Sequence, residues 1–172
     1  MNWIGVHSHS MDIPAPNGGE LRGKRPGPRG ARGGKPQTVA RCKGEIVLIE
    51  DDEGFIADLL SSWHPPCPIS VASTGREAFE YLQHNRPVLV LLDLCLPHFL
   101  ASTDELEGFE ILSHIKTVQS SDIPVIVMSR ERSRDARART TELGAAAFLE
   151  KPFAVAELET AIKKILDERR CG

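Results

Sequence analysis

The stretch VLVLLDLCLP, from Val88 to Pro97, decides the fold. Five apolar residues run directly into Asp93, and apolar residues resume immediately after it. A short, branched and uninterrupted apolar run is typical of a strand that is buried on both faces of a sheet. A carboxylate at the end of such a strand is costly unless a partner compensates its charge. The chemistry of this protein should therefore be sought where the strand ends.

Four further apolar runs alternate with helical patterns over the rest of residues 45–172. Strands are predicted at IVLI, ISVA, VLVLL, PVIVM and AAAFLE, each followed by a segment with helical character, such as ELEGFEILSHIK after the third strand and RSRDARARTTEL after the fourth. Alternating strands and helices predict right-handed βαβ units and a parallel sheet. The expected fold is α/β, a doubly wound five-stranded parallel sheet in the flavodoxin-like order 2-1-3-4-5.

Polar residues collect at the predicted carboxyl edge of this sheet, where doubly wound folds bind ligands. Glu50 and Asp51 follow the first strand, Asp93 the third, Ser129 the fourth and Lys151 the fifth. Clustered carboxylates stay ionised together only beside a cation, and two or three of them with open water positions are a typical Mg²⁺ site. A carboxylate beside Mg²⁺, a hydroxyl and an ammonium group suits phosphoryl transfer. The pattern therefore predicts that Asp93 accepts a phosphoryl group.

The segments IVLIEDDE, VLLDLCLP, IPVIVMS and GAAAFLEKPF, in this order and spacing, resemble the receiver domain of two-component response regulators. The resemblance covers residues 45 to about 169. It implies that Asp93 is the phosphoacceptor and that Glu50 and Asp51 form the acidic pair, with Asp52 outside it.

The same resemblance assigns further residues of the site. It makes the backbone carbonyl of Cys95 an additional Mg²⁺ ligand, Ser129 the switch hydroxyl and Phe148 the switch aromatic. Lys151 becomes the phosphate-binding lysine, preceding a cis bond to Pro152. Two simpler interpretations stay open, because Ser129 could simply end a strand and an aromatic on a strand, such as Phe148, is often core packing.

The implied function is that of a stand-alone phosphoacceptor in a two-component system or phosphorelay, because only DERRCG follows the last predicted helix. Such a domain is not an enzyme, although it assists its own phosphorylation and dephosphorylation. The expected donor is a sensor histidine kinase or a histidine phosphotransfer protein, and Phe55 on the first helix is a candidate docking residue. The sequence does not specify the downstream protein target.

Two departures from the family pattern concern the surroundings of the site. The loop HFLASTDELE, residues 98–107, separates Pro97 from Gly108 and is several residues longer than usual, so its acids Asp104, Glu105 and Glu107 could alter metal affinity or access. Arg130 follows Ser129 where the family usually has a small residue, and a cation there could shield the phosphate or pair with it. Arg130 and the adjacent Glu131 are therefore candidate modulators. On the expected fourth helix, Arg130, Arg134 and Arg137 share one side, which is either a solvated face or a partner surface.

Residues 1–44 differ in composition from the rest. They carry eight Lys or Arg against two acidic residues and nine of the fourteen glycines, whereas residues 45–172 have a net charge of −9. We expect a disordered Gly/Pro/Arg-rich arm at 1–44 and a receiver domain at 45–172. The arm is either a contact for nucleic acid or an acidic partner, or a solvated leader without a role; because no aromatic residues are interleaved, the leader is favoured and nucleic acid is a disfavoured partner.

The remaining sequence features concern the cellular location of the protein and the alternative functions that stay open. The chain has no apolar run long enough to span a membrane, no signal peptide and no closely spaced cysteines, so a cytoplasmic protein without a membrane partner is expected. A haloacid dehalogenase-type phosphatase would carry DxD on the first strand, whereas here the acid is on the third. A receiver that acts as an unphosphorylated scaffold, and a nucleic-acid binder that uses the arm, remain as alternatives.

Overall fold

The computed structural model describes residues 44–96, 107–119 and 122–169 of the 172-residue chain. All neighbouring strands of its sheet are parallel, and their order is β2-β1-β3-β4-β5. This order confirms the predicted doubly wound fold. The strands are β1 (Ile46–Ile49), β2 (Ile69–Ala72), β3 (Leu89–Asp93), β4 (Val125–Ser129) and β5 (Ala147–Glu150).

Helices follow each strand, and side-chain caps determine where three of them begin. The helices are α1 (Glu53–Ser62), α2 (Gly75–His84), α3 (Glu107–His114), α4 (Arg134–Glu142) and α5 (Val155–Glu168). The side chains of Asp52, Thr74 and Ser133 accept hydrogen bonds from backbone amides in the first turns of α1, α2 and α4. Because the first amides of a helix have no partner within it, such caps fix the helix start.

The hydrophobic core lies in two layers, one on each face of the sheet. Alternate strand residues point to opposite faces, so Val47 and Val90 pack with α2 and α3 while Leu48 and Leu91 pack with α1 and α5. Every residue of β1, β3 and β4 is buried, which is why their sequences lack polar alternation. This two-sided burial leaves only the strand ends for polar chemistry.

Three local details differ from the sequence-based expectations. Helix α4 begins at Arg134, because Ser133 is its cap, so Arg130 lies in the preceding loop and not on the helix. The predicted third helix, residues 105–116, is instead α3 followed by a π-helical turn at Ile115–Gln119. Cys67, which is buried, is disulfide-bonded, a bond that the cysteine spacing did not indicate.

Some expectations fall on parts of the chain that are not described. Residues 1–43 of the predicted arm lie outside the described residues, as do Asp104 and Glu105 of the long loop. None of the helices in the described ranges has the length and apolar character to span a bilayer.

Candidate functional site

Lys151 connects the acidic residues at the carboxyl edge of the sheet. Its ammonium Nζ donates to Oε2 of Glu50 at 2.5 Å and to Oδ2 of Asp93 at 2.8 Å. All three side chains are buried, with exposed fractions of 4, 0 and 6%. Glu50 follows β1, Asp93 ends β3 and Lys151 follows β5, so parallel strand ends bring together residues that are distant in sequence.

Both carboxylate oxygens of Asp93 have partners. Oδ2 accepts from Lys151, and Oδ1 accepts from the backbone N–H of Cys95 at 3.0 Å. A buried carboxylate is tolerated when it is paired with a charge and hydrogen-bonded, and Asp93 satisfies both conditions. The carboxylate that interrupts an apolar run in the sequence is therefore compensated by the ammonium group of Lys151, which follows the edge strand β5.

Glu50, Asp51 and Asp93 form a cluster with the donor chemistry of a hard-cation site. One carboxylate oxygen of each lies within 4.8 Å of the others, and Asp51 is exposed while the other two are buried. Lys151 balances only one of the two buried carboxylates, and Asp51 adds a further negative charge. The residues thus fit a divalent cation such as Mg²⁺, with its remaining positions open to water on the exposed side. The carbonyl of Cys95 as an additional ligand stays a prediction.

The pKa of Glu50 reflects both its burial and its negatively charged neighbour. Burial is the main cause that raises the pKa of Glu50, from 4.5 to about 7, and the neighbouring Asp93 raises it further. The hydrogen bond from Lys151 opposes this shift without cancelling it. Burial and the nearby charge of Asp93 therefore disfavour the ionised form of Glu50.

The carboxylate of Asp52 is not part of this cluster, although the backbone N–H of Asp52 donates to Oε1 of Glu50 at 3.4 Å. Its Oδ1 accepts from the backbone N–H of Phe55 at 3.0 Å and so caps α1. Its Oδ2 accepts from Nη2 of Arg130 at 2.6 Å. Both hydrogen bonds lower the pKa of Asp52, and the one from the Phe55 amide has the larger effect. The structure thus groups the carboxylates of Glu50 and Asp51 with that of Asp93 and places the Asp52 carboxylate elsewhere. That Glu50 and Asp51 are the metal-binding pair stays a prediction.

Ser129 lies at the end of β4 and is fully buried. Its hydroxyl Oγ accepts from the backbone N–H of Glu131 at 3.0 Å and lies 3.7 Å from Sγ of Cys95. The backbone carbonyl of Ser129 also accepts from the N–H of Lys151. Ser129 is thus tied to both the Cys95 turn and the Lys151 loop. The peptide bond between Lys151 and Pro152 is cis, as the family resemblance implied.

Two aromatic residues contact cations around the site. Phe148, half-buried on β5, lies under the guanidinium of Arg137, whose Cζ is 4.7 Å from the ring centroid. The ring of Phe55 lies 4.1 Å from Nζ of Lys151 and makes an edge contact with Phe153. Phe55 therefore covers the lysine of the site, a contact that its role as a candidate docking residue did not anticipate.

The residues that open α3 hold the turn after Asp93. Glu107 is buried, and its side chain lies against Gly75 at the start of α2. An effect of Glu107 on metal affinity or access stays a prediction. A Cβ on Gly108 would collide with Cα of Leu94 and would lie 2.6 Å from the carbonyl oxygen of Asp93. Glycine is therefore required where α3 touches the backbone of the turn after Asp93.

Comparison with known proteins agrees with this geometry. Residues 46–163 match the model of the response regulator receiver domain family. The transcriptional regulatory protein PrrA of Mycobacterium tuberculosis is 30% identical over 129 residues, which cover 72% of this chain and 50% of PrrA. Histidine kinase P4 of Formosa agariphila is 32% identical over 131 residues, which cover 74% of this chain but only 9% of that protein. The chain thus spans about half the length of PrrA and a small part of the kinase.

Solved receiver domains share the fold. The signal receiver domain of a putative Luxo repressor protein from Vibrio parahaemolyticus superposes with a TM-score of 0.64 at 26% identity, covering 76% of this chain and 95% of that one. A CheY-like response regulator receiver domain protein from Methanospirillum hungatei gives a TM-score of 0.62 at 21% identity, covering 74% and 96%.

Proposed function

Because the chain belongs to the response regulator receiver domain family, we propose that it accepts a phosphoryl group on Asp93 in a two-component system or phosphorelay. The donor is a phosphohistidine of a sensor histidine kinase or of a histidine phosphotransfer protein. The observation that carries this proposal is the ammonium of Lys151 held between Glu50 and Asp93 beside the exposed Asp51. This arrangement supplies a nucleophile, a charge partner and a divalent-cation site at one edge of the sheet.

The transfer forms a bond between a carboxylate oxygen of Asp93 and phosphorus, while the phosphorus–nitrogen bond of the donor breaks. The leaving imidazole nitrogen keeps the electron pair and takes a proton from solvent. Lys151, already 2.8 Å from Asp93, is placed to pair with an oxygen of the transferred group. Mg²⁺ held by Glu50, Asp51 and Asp93 would neutralise the charge that develops on the phosphoryl oxygens.

Phosphorylation would change a protein-contact surface through Ser129 and Phe148. The new phosphoryl oxygens can attract the Ser129 hydroxyl from its present partner, the amide of Glu131. Movement of Ser129 would open space toward which the half-buried Phe148 can turn, leaving its contact with Arg137. Two discrete packings of this kind are how a small local shift becomes a change in α4, β5 and α5. A downstream protein would distinguish the two surfaces.

The direct test is intact mass spectrometry of the full chain after exposure to phosphoramidate with Mg²⁺. We expect one added phosphoryl group, lost in Asp93→Asn and strongly reduced without Mg²⁺ or in Lys151→Ala. Glu53→Gln, which changes an exposed acid of α1, is the matched control and should be phosphorylated normally. Failure of the unmodified chain to gain a phosphoryl group would favour an unphosphorylated scaffold over a phosphoacceptor.

The proposed domain division is a receiver at 45–172 preceded by a basic arm at 1–44, and the proposed location is the cytoplasm, where the receiver would meet its phosphohistidine donor. Intrinsic dephosphorylation of Asp93 would make the domain self-resetting without making it an enzyme with a separate substrate. Nucleic-acid binding by the arm is the competing proposal; it predicts a strongly salt-dependent affinity that disappears when residues 1–44 are deleted.

A further inference from the structure

An ion pair between Arg130 and Asp52 crosses the mouth of the site. Nη2 of Arg130 lies 2.6 Å from Oδ2 of Asp52. Asp52 belongs to the loop after β1, and Arg130 directly follows β4. In the sheet β3 lies between β1 and β4, so a contact that joins these two loops passes over the carboxyl end of β3. That end carries Asp93.

The charge of Arg130 acts on the site as well as on Asp52. The hydrogen bond to Asp52 is the main cause that raises the pKa of Arg130, but Asp93 and Glu50 contribute in the same direction. The guanidinium therefore stands within the electrostatic field of the two buried carboxylates. Lys151, which is itself buried, contacts the same two carboxylates, so the candidate phosphoacceptor has one buried and one exposed cation in its surroundings.

The pair is exposed and can open. The side chain of Arg130 is 66% exposed and that of Asp52 is 38% exposed. Ion pairs at this level of exposure contribute little to stability, so the closed arrangement is favoured over the open one by at most about fivefold. Such a contact regulates access without sealing the site.

We propose that Arg130 has two successive positions: paired with Asp52 it restricts access to Asp93, and after phosphorylation it leaves Asp52 and holds the phosphoryl group. This inference rests on the proposed function, since the second position requires a phosphoryl group on Asp93. Arg130 would then influence both the rate at which Asp93 is phosphorylated and the lifetime of phosphorylated Asp93.

Charge and geometry favour the exchange. A phosphoryl group brings up to two negative charges and three acceptor oxygens, whereas Asp52 offers one charge. The planar guanidinium of arginine can donate two parallel hydrogen bonds to such a group. Hydrolysis requires a water oxygen to attack phosphorus while the bond from phosphorus to the Asp93 oxygen breaks. A guanidinium held against the phosphoryl oxygens obstructs the approach of that water.

The test uses variants that separate the two positions. Arg130→Ala removes both of them. Asp52→Ser removes only the first, because serine is a good helix cap that can still accept from the α1 amide but is too short to reach Arg130. Arg132→Ala is the matched control, since Arg132 is two residues away in the same loop, 65% exposed and paired with Glu150. Each full-length variant is phosphorylated with phosphoramidate and Mg²⁺, and the loss of phosphate is followed after the donor is removed.

We expect Arg130→Ala to be phosphorylated about two- to fivefold faster, the range set by the strength of an exposed pair, and to lose its phosphate faster as well. Asp52→Ser should be phosphorylated faster to a similar degree but should lose its phosphate no faster than the unmodified chain, because Arg130 is present and released. Arg132→Ala should match the unmodified chain in both rates.

The rate at which Asp52→Ser loses its phosphate decides whether the inference holds. If Asp52→Ser loses its phosphate as fast as Arg130→Ala, or if neither variant differs from Arg132→Ala, the two-position inference is wrong although Asp93 is still a phosphoacceptor. If the unmodified chain takes no phosphoryl group at all, the proposed function fails and this inference fails with it.

Discussion

The buried Glu50 makes the stability of the ion-free protein depend on pH in a direction that the structure fixes. Glu50 is fully buried and its pKa is raised from 4.5 to about 7, mainly by burial and then by Asp93. Below pH 4.5 it is protonated in both the folded and the unfolded chain. Between pH 4.5 and about 7 it is protonated only in the folded chain, and above about 7 it is ionised in both. Its contribution is therefore fully present at low pH and is lost as the pH rises through this window.

The magnitude follows from the width of the window. Each pH unit corresponds to about 1.4 kcal/mol, so the interval from 4.5 to about 7 amounts to about 3 kcal/mol of unfolding free energy. Glu50→Gln keeps an oxygen that can accept from Lys151 but cannot ionise. Compared with the unmodified chain, we expect Glu50→Gln to be about equally stable at pH 4.5 and more stable by up to about 3 kcal/mol at pH 8.

Chemical denaturation from pH 4.5 to 8, with and without Mg²⁺, measures both effects. Binding of Mg²⁺ at the proposed site would require the ionised form of Glu50, so at pH 8 Mg²⁺ should stabilise the unmodified chain, by about 1.4 kcal/mol at ten times its dissociation constant. The variant should respond less. Glu159→Gln, an exposed change on α5, is the control for an ordinary glutamate. If the stability curves of Glu50→Gln and the unmodified chain run parallel across this pH range, the assignment of excess charge to the buried cluster is wrong.

Three further outcomes are expected. Asp51→Asn should abolish Mg²⁺-dependent amide shifts around the cluster, whereas Asp52→Asn should weaken them only partly; the reverse ranking would move the acidic pair by one residue. Gly108→Ala should destabilise the fold by about 1–3 kcal/mol in denaturant unfolding, because its Cβ would meet backbone atoms, while Gly54→Ala, whose Cβ would meet only the side-chain Oδ1 of Asp52 at 3.3 Å, should destabilise it less. Ser129→Ala should still be phosphorylated, at least several-fold more slowly, but beryllofluoride, a stand-in for the phosphoryl group, should no longer shift the amides of residues 129–151. Unchanged amides in the unmodified chain would contradict the switch.

The sheet could be predicted closely because two-sided burial leaves a strong signal in sequence. The bounds of β1 and β2 match their predicted apolar runs. Strand β3 is shifted by one residue, since it begins at Leu89 instead of Val88 and ends at Asp93 instead of Leu92. The third helical segment was predicted less well. Apolar periodicity continues through Ile115, but the widening into a π-helical turn accompanies a tertiary contact, in which Nζ of Lys116 donates to the carbonyl of Ile123 at 2.7 Å. Periodicity carries no information on such a contact.

The residues that lie at this edge of the sheet could likewise be predicted, but the contacts between their side chains could not. Strand ends of a parallel sheet meet at one edge, so placing Glu50, Asp93 and Lys151 there needs only the order of the elements. That Lys151 bridges both carboxylates, and that Phe55 covers it, depends on side-chain packing between β1, β3, β5 and α1. The sequence singles out Arg130 by its unusual position, but its partner lies 78 residues earlier and no local pattern identifies it.

The charge balance explains why an exposed ion pair suits this position. The cluster combines three carboxylates with one ammonium group, from Glu50, Asp51, Asp93 and Lys151. When all are ionised, the net charge is −2, which one divalent cation would cancel. Phosphorylation replaces the single charge of Asp93 by up to two on the phosphoryl group, so about one negative charge is added. Arg130 can supply the matching positive charge only if leaving its present partner costs little. Its partner is 38% exposed, so water solvates the released carboxylate, whereas breaking a buried pair would leave an uncompensated charge inside the protein. A contact that adds little to stability is therefore the kind that lets a cation follow the phosphoryl group.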